Sequence, residues 1–181
     1  MTLRTTPPPR AALSPVSVIL PSLNEEAAVG DQVRAVRRAL EEASVDHEIL
    51  VVDDGSTDRT REEAHAAGAR VLRHGENRGY GASIKSGIAA ARHDTCVIID
   101  ADNTYPAHEI PHLLAELESA DMVVGSRSRD NVNIPWIRRP AKWLLAKLAE
   151  RIAGQPIPDL NSGLRAFRRE CVTQYFPVLS D

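Results

Sequence analysis

Two aspartates separated by one small residue, Asp100-Ala101-Asp102, follow directly on the apolar run Thr95-Cys96-Val97-Ile98-Ile99. Carboxylates that leave the end of a buried strand together can hold a divalent cation, because magnesium and manganese take oxygen ligands and keep places for water and phosphate oxygens. Asp is also common in plain strand-ending turns, so the pair draws its weight from its surroundings. A second acidic pair, Asp53-Asp54, follows a second apolar run, Glu48-Ile49-Leu50-Val51-Val52. If both runs are strands of one sheet, both pairs reach the same edge. A metal ion and a diphosphate could sit there together.

Two further segments would reach that edge. Pro21-Ser22-Leu23-Asn24-Glu25 follows the run from Val16 to Leu20. Gly75-Glu76-Asn77-Arg78-Gly79-Tyr80-Gly81 brings glycines and one cation to the opening of a helix, a natural setting for anions. Lys85 lies one to two turns into that helix, where it could reach either a ligand or solvent. The six histidines are scattered. His108 and His112 share helical spacing but have no acidic metal motif beside them, so no histidine is assigned to a metal.

The elements that must carry these residues alternate. Strand-length runs cover Val16–Leu20, Glu48–Val52, Ala69–Arg73, Thr95–Ile99 and Asp121–Gly125. Amphipathic helical segments lie between them, at Glu25–Ala43, Asp58–Ala67, Gly79–Arg92 and Pro106–Ser119. Such alternation predicts β-α-β units and a mostly parallel sheet covered on both faces, an α/β fold. In these sheets ligands bind beyond the carboxyl ends of the strands. Ser56-Thr57-Asp58 can cap a helix starting near Arg59, Pro106 suits a first helical turn, and Gly68 closes the second helix. After Gly125 the pattern changes to a polar loop and then to a basic amphipathic stretch from Pro135 to Ala153, which contains both tryptophans.

The chain has 181 residues, 43% hydrophobic and 26% charged, enough for one domain with a real core. A net charge of -3 gives no general attraction to nucleic acid, and no nucleic-acid-binding motif is present. Cys96 and Cys171 lack zinc-type spacing and read as buried thiols of a reducing compartment. Residues 1–15, with four prolines from Pro7 to Pro15, read as a flexible tail without the apolar core of a signal peptide. No run of about 18 apolar residues occurs, so no transmembrane helix is expected in these residues.

The ordered set Pro21–Glu25, Asp53–Asp58, Asn77–Gly81 and Asp100–Asp102 resembles the family 2 glycosyltransferases with the GT-A (nucleotide-diphospho-sugar transferase) fold, a Rossmann-like central sheet flanked by helices. The later segments Gly125-Ser126-Arg127 and Asp159-Leu160-Asn161-Ser162-Gly163-Leu164-Arg165 look most like the polyprenyl-phosphate sugar transferases typified by dolichol-phosphate mannose synthase. The likeness runs from Val16 to about Phe176. It implies an inverting, metal-dependent transfer of a sugar from a GDP- or UDP-linked donor to a polyprenyl or dolichyl phosphate. Magnesium or manganese would be held by Asp102 with Asp100 beside it, while Pro21, Leu23, Glu25, Asp53, Asp54, Gly79, Lys85 and the Asp100-Ala101-Asp102 turn would receive the donor. Arg127, joined by Arg138 or Arg139, would face the acceptor phosphate, a task suited to the guanidinium fork. Asp159 would stand on the acceptor side as a carboxylate able to deprotonate a hydroxyl. Where that branch carries a glutamine two residues after the second Asp, this chain has Thr104, which leaves the choice of metal open.

The resemblance also implies a peripheral protein at the cytoplasmic face of a membrane, able to self-associate. The basic stretch from Ile134 to Ile152 reads either as a helix packed on the sheet or as an interfacial helix. Relatives continue beyond the position of Asp181, so the domain of residues 16–181 is expected to be cut short. A transferase with a soluble or glycan hydroxyl acceptor, and a nucleotide-sugar-binding module without catalysis, are the alternatives. A signalling receiver domain fits poorly, because there the acidic pair ends the first strand. A nucleotidyltransferase fits poorly as well, because Pro21–Glu25 replaces its glycine-rich triphosphate loop.

Overall fold

The computed structural model describes residues 13–125 and 162–176. Among the described residues six strands form one sheet in the order β3-β2-β1-β4-β6-β5. They are β1 (Val16–Ser22), β2 (His47–Asp53), β3 (Arg70–Arg73), β4 (Thr95–Ile98), β5 (Met122–Val124) and β6 (Arg165–Arg168). The first four are parallel, as the alternation of elements predicts. Helices α1 (Val29–Glu42), α2 (Thr60–Ala66), α3 (Tyr80–Ala90) and α4 (Ile110–Glu116) alternate with the strands.

Period-two alternation along the strands sends side chains to two cores. Val16, Val18 and Leu20 of β1 join Ile49 and Val51 of β2 on one face, against Val29, Val33, Val36 and Leu40 of α1 and Ile110 and Leu114 of α4. Ile19, Leu50 and Val52 face the other way, towards Ile88 of α3 and Phe167 of β6. Strands buried on both faces explain why β1 and β2 read as largely apolar runs, interrupted by the buried Ser17 and Glu48.

Two differences from the expected architecture matter. The run at residues 121–125 does form a strand, yet among the described residues β5 pairs with β6 alone and antiparallel, while β6 also pairs antiparallel with β4. β6 was hidden because it lies outside the strand-helix alternation that marked the equally short β3, and its only apolar residues are Ala166 and Phe167. Those two side chains are buried on opposite faces, in the first and second cores respectively. The helical segment at Pro106–Ser119 is also less regular than expected, with a 3-10 turn on either side of α4.

The inserted strand has a direct consequence for the site. Because β6 runs against β4, its beginning lies at the end of β4: Arg165 pairs with Ile98. Ser162 and Gly163 are thereby delivered to the turn that carries Asp100 and Asp102.

Candidate active site

The carboxyl edge of the parallel strands is a set of tight turns tied to one another. Asn24 and Asn103 adopt left-handed backbone, at φ 56° and φ 61°, a conformation that Asn tolerates better than most residues. The turn after β1 is fastened to the turn after β2. The Asn24 amide donates to Ser56 Oγ at 3.0 Å, Asn24 Oδ1 accepts from the Thr57 amide at 2.9 Å, and the Glu25 amide donates to Thr60 Oγ1 at 2.7 Å. The cap residue of α2 is Arg59, not the expected Ser56-Thr57-Asp58 segment, and it makes no side-chain cap; Asp58 instead accepts from the amides of Thr60 and Glu26 and so ties the start of α2 to the neighbouring loop.

Asp54 is the centre of the next connection. It is buried, and its carboxylate accepts from the amides of Arg78 at 3.0 Å and Gly79 at 2.8 Å. Gly79, at φ 94°, turns the chain into α3 through backbone space that a side chain would strain. Burial alone would raise the Asp54 carboxyl; the Arg78 amide, His74 and the Gly79 amide outweigh it and hold the group below its usual value.

The acidic turn is held from three sides. Thr104 donates its amide to Asp102 Oδ1 at 2.9 Å, so the residue standing where a glutamine was expected closes the turn with its backbone. Asp102 is otherwise exposed. The Tyr80 hydroxyl donates to Asp100 Oδ1 at 2.9 Å. Gly163 lies against Asp100 so closely that a Cβ there would fall 1.9 Å from Oδ2. Its amide donates to the Tyr105 hydroxyl at 2.6 Å, which ties the start of β6 to the end of the acidic turn.

These turns enclose a cleft of about 470 Å³, lined by Pro21, Leu23, Glu25, Asp54, Gly79 and Asp100-Ala101-Asp102 together with Ser22, Asn77, Tyr80 and Ser83. That volume lies within the range of small-ligand sites. The Glu25 carboxyl is pushed up by burial and then by the charges of Asp102, Asp58 and Asp100. A field of that sign is what a divalent cation relieves. Among the described residues no three metal-type side chains converge on one point. The chain therefore offers an open pair of carboxylates, fitted to an ion whose remaining ligands are water and donor oxygens.

Eight residues singled out in the sequence for the donor thus line one cleft. Asp53 does not line it: 1% exposed, it accepts from the Ser56 amide at 2.8 Å and lies 3.7 Å from Arg73, so it shapes the turn from behind the wall. Lys85 is half-buried on α3 and is likewise not part of the lining. Arg127, Arg138, Arg139 and Asp159 lie outside the described residues, as does the basic stretch from Pro135 to Ala153. Sequence reasoning missed Tyr80, Ser83 and Tyr105, and it missed His74, which is buried against Asp54. Tyr80 had a signal, since it sits inside the glycine-rich segment that was already under suspicion.

The profile of glycosyl transferase family 2 matches residues 17–176. Glucosyl-3-phosphoglycerate synthase of Mycobacterium tuberculosis superposes with a TM-score of 0.70 at 32% identity, over 90% of this chain and 60% of that one. A structure of that enzyme in complex with Mn2+, UDP-glucose and phosphoglyceric acid matches with a TM-score of 0.70 at 31% identity, over 90% and 59%. Mannosyl-3-phosphoglycerate synthase of Rubrobacter xylanophilus matches with a TM-score of 0.73 at 25% identity, over 87% and 54%. The chain therefore spans 60% or less of the length of these solved relatives.

Proposed function

The chain belongs to glycosyl transferase family 2, and from that premise we propose that it transfers a sugar from a nucleoside-diphosphate donor, with a divalent metal, to a small phosphorylated hydroxy acid of the phosphoglycerate type. The observation that carries the donor half is the convergence of Pro21, Leu23, Glu25, Asp54, Gly79 and the Asp100–Asp102 turn on one cleft beyond the parallel strands. The acceptor half is supported by the relatives, which are named for glucosyl or mannosyl transfer to 3-phosphoglycerate. This departs from the polyprenyl-phosphate acceptor and the membrane-face location expected of the chain, which have no such support. Among the described residues no helix is long and apolar enough to cross a membrane.

In this reading Asp102, exposed and with one oxygen engaged by its own turn, is the residue that would hold Mn2+ or Mg2+. Asp100, fixed by Tyr80 and seated on Gly163, supports it from the cleft wall. When bound, the ion acts as a Lewis acid towards the departing diphosphate. Pro21, Leu23 and Glu25 line the donor end, and Gly79 brings backbone close to it. Arg127 with Arg138 or Arg139 is assigned to the acceptor phosphate, and Asp159 to the acceptor hydroxyl, on the resemblance alone.

The test is a donor panel of UDP- and GDP-sugars with Mn2+ or Mg2+, offered 3-phosphoglycerate, a short polyprenyl phosphate, or no acceptor. Turnover is expected with 3-phosphoglycerate and Mn2+. Asp102→Ala should lower it about 100-fold or more, since a metal contributes several kcal/mol at about 1.4 kcal/mol per factor of ten. Transfer to polyprenyl phosphate alone would reverse the acceptor assignment. Activity that persists after both chelation and Asp102→Ala would remove the metal. The anomeric proton coupling of the product tests the inversion that the family resemblance implies.

A further inference from the structure

His74 is buried at the end of β3, with both ring nitrogens engaged. Nδ1 lies 2.6 Å from Asp54 Oδ1 and Nε2 lies 2.9 Å from Ser86 Oγ. Asp54 is held below its usual pKa and is therefore ionised at neutral pH. An ionised carboxylate only accepts, so Nδ1 carries the proton it donates, leaving Nε2 to meet the Ser86 hydroxyl. The imidazole thus bridges two places on one unit. Asp54 grips the Arg78 and Gly79 amides at the entrance to α3, while Ser86 belongs to the body of the same helix.

The backbone holds the same place. The His74 amide donates to Asp53 O at 2.8 Å, and the Asp54 amide donates to Ser22 O at 2.9 Å. The ends of β1, β2 and β3 are therefore joined at Asp53 and Asp54. Asp54 lines the cleft, but its carboxylate is occupied by three donors, two from the loop and one from His74. What it presents to a ligand is a fixed wall, and the loop residues Asn77, Gly79 and Tyr80 that it holds are lining residues themselves.

We propose that His74 is a positioning residue for the donor site: by fixing the orientation and charge of Asp54 against α3 through Ser86, it holds residues 77–80 in the arrangement that receives the nucleoside diphosphate. The inference rests on the reading of the cleft as a donor site. A buried carboxylate with three donors has a defined direction, whereas one that loses a charge-assisted partner can rotate and release an amide. The loop would then sample arrangements that bind the donor poorly, with the chemistry at Asp100 and Asp102 unchanged once the donor is in place.

The test uses the full chain with UDP and Mn2+ as the calorimetric probe, kinetics with the active donor, and thermal unfolding as the control. His74→Ala should weaken UDP binding about tenfold, the size expected for loss of one hydrogen bond to a charged group. It should raise the donor KM in proportion while kcat and the acceptor KM stay near wild type. His74→Asn places an amide N–H close to the position of Nδ1 and should restore most of the affinity. His74→Gln reaches the position of Nε2 instead and should not. Wild-type affinity in both His74→Ala and His74→Gln would overturn the positioning role, and so would rescue by Gln rather than Asn. A drop in kcat at unchanged donor KM would overturn it as well. If wild type binds neither UDP nor GDP, the donor-site reading itself falls and takes the inference with it, an outcome distinct from normal wild-type binding that His74 variants leave untouched.

Discussion

At the scale of single residues, the acidic turn depends on a position that carries no chemistry. Gly163 has no side chain where a Cβ would stand 1.9 Å from Asp100 Oδ2, so even a methyl group must displace the carboxylate or the start of β6. Gly163→Ala is expected to weaken Mn2+ binding and to lower turnover at least about tenfold, with a stability loss of about 1–3 kcal/mol for the overpacked contact. Calorimetric Mn2+ titration beside thermal unfolding checks this, and wild-type metal affinity would show that Asp100 does not need its present seat. Asp100 and Asp102 were legible in the sequence because their type, spacing and place after an apolar run already specify oxygen ligands at a strand end. Gly163 and Tyr80 were legible only as members of glycine-bearing segments. Their partner in both cases is Asp100, reached through the fold rather than along the chain, and no local pattern encodes that.

At the scale of elements, the opposite edge of the sheet carries its own polar clamp. Glu48, counted in the sequence as the first residue of an apolar run, is a buried carboxylate at the start of β2. It accepts from Ser17 Oγ of β1 at 2.7 Å and from Arg70 of β3 at 3.3 Å, and the Arg92 amide ahead of β4 also donates to it. Burial pushes this carboxyl up, but the Arg92 amide, Ser17 and Arg70 outweigh it and leave it below its usual value. The native state then holds this proton less tightly than the unfolded chain. The stabilisation is complete above the ordinary Glu value of about 4.3 and is lost as pH falls through the lower native value. Unfolding midpoints should therefore drop as pH falls below about 5, and Glu48→Gln should flatten that slope while destabilising the protein near neutrality. An unchanged slope would mean that Glu48 is not a clamp. β1, β2 and β4 were legible because both of their faces are buried and most of their residues are apolar, and β3, the exposed edge strand Arg70–Arg73, was legible from its place in the alternation of strands and helices. β6 was not, because its four residues resemble the equally short β3 but its antiparallel pairing breaks the β-α-β rule that located β3 and the rest of the sheet.

At the scale of the whole molecule, the cleft exists only when the sheet is assembled. Its lining comes from the turns after β1, β2, β3 and β4, none of which neighbours all the others in the chain. A ligand of that cleft binds the native state and not the unfolded one, so it must raise the unfolding midpoint by mass action. At about 100 times its Kd a nucleoside diphosphate with Mn2+ should add about 2.7 kcal/mol, equivalent to a shift of about 5–10 °C for a chain of this size. Mn2+ alone should give much less, because two carboxylates form an open site and the donor's phosphate oxygens complete the shell. The two ligands should thus act together, each raising the apparent affinity of the other by the same factor. Asp102→Ala should abolish the Mn2+-dependent part of the shift and leave a smaller nucleotide-only shift, since Pro21, Leu23 and Glu25 remain in place. Differential scanning fluorimetry over a grid of UDP and Mn2+ concentrations measures all of these quantities. Additive shifts without mutual enhancement would place the metal away from the diphosphate and separate the acidic turn from the donor site.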